Sequence, residues 1–155
     1  MIRPATPEDV PEIHAMIGEL AEFEKLSDQF VATAEELREP LFGQNPAAEA
    51  LVAEEDGGLA AYAIFFTTFS TFLAKPGLWL EDLYVRPRFR GQGLGKRLVL
   101  EGAKMAEERG LGRYEWCVLD WNQNAIEFYE SLGANVLKEW HTVRSEREQI
   151  RGMLR

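Results

Sequence analysis

Residues 79–96, WLEDLYVRPRFRGQGLGK, join an apolar run to a glycine-rich loop and a helix start. The run Leu78 to Val85 carries two adjacent carboxylates, Glu81 and Asp82, and leaves through Arg86-Pro87. Gly91, Gly93 and Gly95 follow, spaced R-x-x-G-x-G from Arg90 through Gln92 and Leu94. Glycines let the backbone turn tightly and let N–H groups approach a ligand without interference from a Cβ. At a helix start those N–H groups are unpaired and the helix dipole favours negative charge, so a phosphate or pyrophosphate is a natural guest. Lys96 and Arg97 sit unfavourably near that positive helix end unless an anion compensates them. Spacing removes two commoner phosphate loops. Lys96 stands where the third glycine of G-x-G-x-x-G belongs, and the glycines are too close for G-x-x-x-x-G-K-[S/T]. A plain strand-to-helix turn remains the competing reading, but it needs neither three glycines nor the flanking bases.

Composition sets the frame. The chain has 155 residues, which predicts one domain spanning 1–155 with a sizeable core. Its net charge of -9, from 26 acids and 17 bases, disfavours nucleic acid and anionic membranes as partners. Cys117 is the sole cysteine, and His14 and His141 are the only histidines, so no disulfide and no metal centre is expected. The start MIRPATPEDV has no apolar signal core, and no apolar run approaches the ~18 residues of a membrane span. A cytoplasmic, metal-independent protein is the expectation.

Working outward, Ile2 to Ala5 reads as a short strand. Thr6-Pro7-Glu8-Asp9 then starts a helix to about Phe23, with Ile13, Met16, Ile17 and Leu20 on its buried face. His14 beside that face reads as a packed or surface histidine. The pair Phe23-Glu24 reads by itself as a solvated helix end. A second short helix follows Thr33 and stops at Pro40 and Gly43. From Ala48 the period changes to that of strands: 50–54 and 59–72 flank the turn Asp56-Gly57-Gly58, and 75–77 turn the chain into Trp79. After the loop, Leu94, Leu98, Met105 and Ala106 give the next helix a buried face. Tyr114 to Leu119 and Leu137 to Arg144 are further strand candidates. Between them Asp120 to Asn124 leads into a helix from Ala125 to Leu132, stopped by Gly133. The tail after Ser145 carries no signal.

Two acids and a tyrosine could carry chemistry. Adjacent strand residues point to opposite faces, so Glu81 and Asp82 should not share one. A carboxylate facing a core is costly unless paired or lining a wet cavity, and burial shifts its pKa. A structural salt bridge is the competing reading. Tyr129, one turn after Ile126, reads by itself as core.

Taken together, these stretches resemble the GNAT superfamily of N-acetyltransferases, and within it the diamine (spermidine/spermine) and thialysine N-acetyltransferases. LAEFEKLSDQ at 20–29 resembles the end of that family's first helix. WLEDLYV with RGQGLG resembles its strand and cofactor loop, and DWNQNAIEFYESLGA at 120–134 resembles its W-N-x-x-x-I-x-F-Y-x-x-x-G-A segment. The likeness runs from about Ile2 to Arg144. It implies an α/β (α+β) fold with a mixed, mostly antiparallel sheet flanked by helices and splayed after the Trp79–Val85 strand, where acetyl-CoA enters. Leu83, Tyr84 and Val85 would offer backbone groups to the pantetheine. Arg90, Gly91, Gln92, Gly93, Leu94, Gly95 and Lys96 would hold the pyrophosphate, and Asn122, Gln123, Asn124 and Ala125 would run along the cofactor. Tyr129 would be the general acid and Glu81 the base. Phe23, Glu24, Glu81, Asp82, Glu115, Trp116 and Cys117 would line the amine pocket, and the molecule would be a homodimer.

The chemistry is consistent with those roles. An alkylammonium, with a pKa of about 10.4, cannot attack a thioester until it loses a proton, and a carboxylate can attract the cation and take that proton. A tyrosine can protonate a departing thiolate without being ionised at neutral pH. No acyl-enzyme is needed, so Cys117 reads as a buried strand residue. Alternatives from other classes are acetylation of protein lysine or an N-terminus, and a non-catalytic acyl-CoA-binding module.

Overall fold

The computed structural model describes residues 1–155, in two compact units, Met1–Cys117 and Val118–Arg155. The first holds a five-stranded sheet in the order β1-β2-β3-β4-β5: β1 (Ile2–Pro4), β2 (Glu49–Glu55), β3 (Gly58–Ser70), β4 (Lys75–Val85) and β5 (Tyr114–Glu115). The first three pairings are antiparallel, and β4 with β5 is parallel. This is the mixed, mostly antiparallel sheet that the resemblance implies. The β2–β3 hairpin turns on Asp56 and Gly57, at φ 52° and 78°, the pairing of positive angles that Asp-Gly supplies. The long aromatic and β-branched strand β3 takes the centre.

Cross-strand register sorts the side chains. Tyr62 pairs with Tyr84, Ile64 with Asp82 and Phe66 with Trp79 on one face, whereas Ala63 pairs with Leu83 and Phe65 with Leu80 on the other. Helix α1 (Val10–Phe23) covers the first face, where Ile13 and Met16 cluster with Val52, Tyr62, Ile64 and Tyr84. Its start is held by Asp9, which accepts from the Thr6 N–H at 2.8 Å and is clasped by Arg3 at 2.7 and 3.0 Å. A short helix α2 (Arg38–Phe42) adds Leu41 to the same core. The opposite face is covered by α3 (Leu94–Glu108), through Leu94, Leu98, Val99 and Ala106. Gly102 lets α3 approach closely, since a Cβ there would stand 2.8 Å from the Phe65 ring.

One irregularity positions everything that follows. The register of β3 against β4 slips between Ile64 and Phe65, whose partners are Asp82 and Leu80. Glu81 is therefore an extra residue in β4, a β-bulge. The strand bends there, and β5 pairs with β4 only at Leu78 and Trp79, just before the bulge. From Leu80 to Val85, β4 has β3 as its only strand partner, so the sheet opens on that side. The strand expected over 114–119 is shorter and ends at Glu115. Cys117, expected to be buried in that strand, is exposed.

In the second unit, α4 (Gln123–Ser131) begins at Asn122, whose Oδ1 accepts from the Ala125 N–H at 3.3 Å. Gly133, at φ 89°, closes it. A short helix α5 (Arg147–Met153) occupies the tail. The strand expected over 137–144 does not form. Its apolar residues Leu137, Trp140 and Val143 are exposed, and alternation alone does not supply the partner edge that a strand requires.

Candidate functional site

The bulge decides where the acids of β4 point. Asp82 shares the α1 face with Trp79, as the register requires. Glu81 reaches the same side, because its carboxylate accepts from the Trp79 indole N–H at 2.9 Å. The alternation rule placed the two carboxylates on opposite faces. The extra residue cancels it, and they lie on one.

Their environments differ. Glu81 is exposed, whereas Asp82 is largely enclosed and receives the Tyr62 hydroxyl on Oδ2 at 3.1 Å. Burial pushes the Asp82 carboxyl up to about 6, opposed by the Tyr62 hydrogen bond and reinforced by the charges of Glu81 and Glu24. Glu24 terminates α1, its backbone N–H still bonded to Leu20, and burial raises its carboxyl as well. The end of α1 and the bulge of β4 thus bring Glu24, Glu81 and Asp82 into mutual electrostatic range around Tyr62. Such a cluster favours a cation, and within it Asp82 and Glu24 hold a proton more tightly than ordinary carboxylates.

Next along β4 comes the anion side. Arg86 donates to Glu12 at 2.9 Å, to Glu19 at 3.1 Å and to the Leu59 carbonyl at 2.9 Å, pinning α1 to the strand's exit. Arg90 donates to the Val85 carbonyl at 2.9 Å and lies over the rings of Phe23 and Tyr84 at 5.2 and 5.5 Å. A cavity of about 340 Å³ runs beside it, bordered by Glu19, Phe23, Tyr84 and Pro87. Gly91 and Gly93 take φ 76° and 77°, left-handed values that favour glycine, and no heavy atom lies within 4 Å of where either Cβ would be. Gly93 is the N-cap of α3 and provides no side-chain cap, so the first N–H groups of a 15-residue helix face open space. Lys96 is exposed in that first turn, and Arg97 lies 3.6 Å from Glu55. A pyrophosphate fits these residues: uncapped donors, a dipole of the right sign, an exposed ammonium and room.

The first unit therefore brings together Phe23, Glu24, Glu81 and Asp82, and joins Leu83–Val85 to the glycine loop through Arg90. Glu115 stands across the ladder from Trp79, and Trp116 packs on Tyr114 with ring centroids 4.8 Å apart. In the second unit Tyr129 is partly buried on α4 with its ring 5.3 Å from Phe128, and Gln123 bonds Glu127 at 3.2 Å. Sequence reasoning missed Tyr62 and Arg86. The alternation of β3 marks Tyr62 as core, and nothing local announces a partner twenty residues away. No group of three or more His, Cys, Asp or Glu is placed to hold a metal, and no helix is long and apolar enough to cross a membrane.

Comparison with known proteins agrees with this geometry. Residues 19–134 match the profile described as the acetyltransferase (GNAT) family. The thialysine N-epsilon-acetyltransferase of Sus scrofa is 39% identical over 97% of this chain and 95% of its own length. The L-ornithine N5-acetyltransferase of Arabidopsis thaliana is 36% identical over 92% of this chain and 82% of its own. Among solved structures, an integron cassette protein from V. cholerae superimposes with a TM-score of 0.82 at 22% identity, covering 99% of this chain and 96% of that one, which supports the fold.

Proposed function

As the chain belongs to the acetyltransferase (GNAT) family and is an N-acetyltransferase, we propose that it moves an acetyl group from acetyl-CoA to a primary amine of a small diamino compound, whether thialysine, ornithine or a polyamine. The observation carrying this reading is the convergence of Glu24, Glu81 and Asp82 on one face of the bulged strand. A diamine offers two cations, one to react and one to be held.

Acetyl-CoA supplies an acyl carbon already activated as a thioester. Gly91 to Lys96 bind its phosphates, and the open edge of Leu83 to Val85 offers backbone groups to its arm. Asn122 to Ala125 are assigned to the same ligand on the resemblance of their segment. Asp82 and Glu24 hold the substrate's ammonium. Glu81, exposed and oriented by Trp79, takes the proton from the attacking nitrogen, directly or through water. Tyr129 returns a proton to the leaving thiolate. Phe23, Glu115, Trp116 and Cys117 are assigned to the amine pocket. The family profile spans residues of both units, which supports a single catalytic domain over residues 1–155. A cytoplasmic homodimer completes the reading, on the family resemblance.

The test is an acceptor screen with acetyl-CoA against thialysine, ornithine, spermidine, lysine and a lysine-containing peptide, read by mass spectrometry. Acetylation of the free diamines is expected. Acetylation of the peptide in preference to them would replace this reading with protein acetylation.

A further inference from the structure

Tyr62 lies at the centre of the α1-side core with none of its surface exposed, yet it carries a polar group there. A buried hydroxyl is costly unless it is hydrogen-bonded, and a phenylalanine would fill the same volume without that requirement. The single side-chain partner of this hydroxyl is Oδ2 of Asp82, at 3.1 Å. The register makes the contact specific. Tyr62 sits opposite Tyr84 and Asp82 opposite Ile64, so the two residues are diagonal neighbours on one face, within reach of a long side chain. This diagonal lies within the regular stretch of the ladder, next to the bulge at Glu81.

We propose that Tyr62 is a positioning residue for the acceptor amine: its buried hydroxyl clamps Oδ2 of Asp82, turns Oδ1 toward the substrate's ammonium, and holds the carboxylate in its charged form. This rests on the assignment of Asp82 to amine binding made above. The charged and titratable groups facing Asp82 are Tyr62 from β3, Glu81 from β4 and Glu24 from the end of α1. Both glutamates repel a charge on Asp82, and burial penalises it further. Tyr62 is the one neighbour that favours the ionised form, by donating to it, and its own burial beside a carboxylate keeps the phenol protonated and able to donate. Removing the hydroxyl should leave the core filled and raise the pH at which Asp82 becomes a carboxylate.

The test is calorimetric titration of thialysine into the protein saturated with CoA, from pH 5 to 8.5, for the wild type, Tyr62→Phe and Asp82→Asn. The probe's side-chain ammonium is an alkylammonium that stays charged over most of that range, so the acidic limb of affinity reports the protein's acid. Tyr62→Phe is expected to bind thialysine at least about 10-fold more weakly at pH 7, as loss of one hydrogen bond to a charged group predicts. Its acidic limb should lie at higher pH, and the deficit should narrow by pH 8.5, with CoA affinity unchanged. A Tyr62→Phe protein with the wild-type limb and affinity overturns the proposal. If Asp82→Asn binds thialysine as the wild type does, it is the assignment of Asp82 to the amine that fails instead. Should Tyr62→Phe not fold, Tyr62→3-fluorotyrosine, a stronger donor of nearly the same size, is expected to move the limb to lower pH; an unmoved limb there is equally contrary.

Discussion

The glycine loop and the acidic bulge adjoin along β4 and do opposite things by different means. In the proposed reading the loop would work through its backbone: Gly91 and Gly93 take left-handed angles, and the start of α3 carries no side-chain cap. The bulge would work through side chains, which one inserted residue brings to the same face. A backbone site depends on local conformation and tolerates its surroundings. A side-chain cluster depends on register, on packing and on which neighbour supplies a proton or a hydrogen bond. The two halves should therefore fail separately when mutated, each with its own kinetic signature.

The sharpest separation is expected at Glu81. Glu81→Gln keeps size and the Trp79 contact but cannot accept the amine's proton. Turnover should fall about 10²- to 10⁴-fold, the usual contribution of a general base, with the KM for acetyl-CoA near that of the wild type. A pH–rate profile that does not change would reduce Glu81 to a structural role. Tyr129→Phe, in the other unit, is expected to slow turnover about 10²-fold or more while leaving acetyl-CoA binding nearly intact. Unchanged turnover would remove Tyr129 as the acid.

At the loop the pattern should invert. Gly93→Val places a branched side chain at φ 77°, where none is favoured, and fills the space over the helix start. The KM for acetyl-CoA should rise about 10- to 100-fold, as loss of one or two charge-assisted hydrogen bonds implies, with the amine KM little altered. Equal damage to both substrates' KM values would mean that loop and bulge are one coupled structure rather than two.

These two regions also differ in how far the sequence reveals them. The loop's conformation follows from its own glycines, so its tight turns were legible from Arg90 to Lys96 alone. So were most of the helices, whose caps and periodicity are local: Gly133 stops α4 as expected, and its cap Asn122 lies in the cap-rich link ahead of it, whereas α5 in the tail gave no signal. The face of Asp82 was not legible, because the period of two assumes an unbroken ladder, and the slip opposite Ile64 and Phe65 has no signature within WLEDLYV. For the same reason Tyr62 looked like plain core. The strands expected over 137–144 and 116–119 failed on the complementary point: alternation says that a segment can pair, not that it will.

The smallest expected effect is thermodynamic and concerns Asp82. In the unfolded chain its carboxyl has the ordinary value of 3.8, and in the folded protein burial raises it to about 6. Between those values the folded state holds the proton more tightly, so the contribution of Asp82 favours folding at low pH and is lost as pH rises through the window. Above about pH 6 the ionised carboxylate is a standing cost. At about 1.4 kcal/mol per pH unit that cost is at most ~3 kcal/mol, and partial contact with solvent reduces it to on the order of 1–2 kcal/mol. Asp82→Asn keeps an oxygen for Tyr62 to donate to but carries no charge to bury. It should therefore raise the melting temperature by about 2–6 °C at pH 8 and change it little at pH 4.5, while weakening amine binding. A variant less stable than the wild type at pH 8 would show that Asp82 is held by its partners rather than strained by them, and the bulge would then be an ordinary structural feature like the loop.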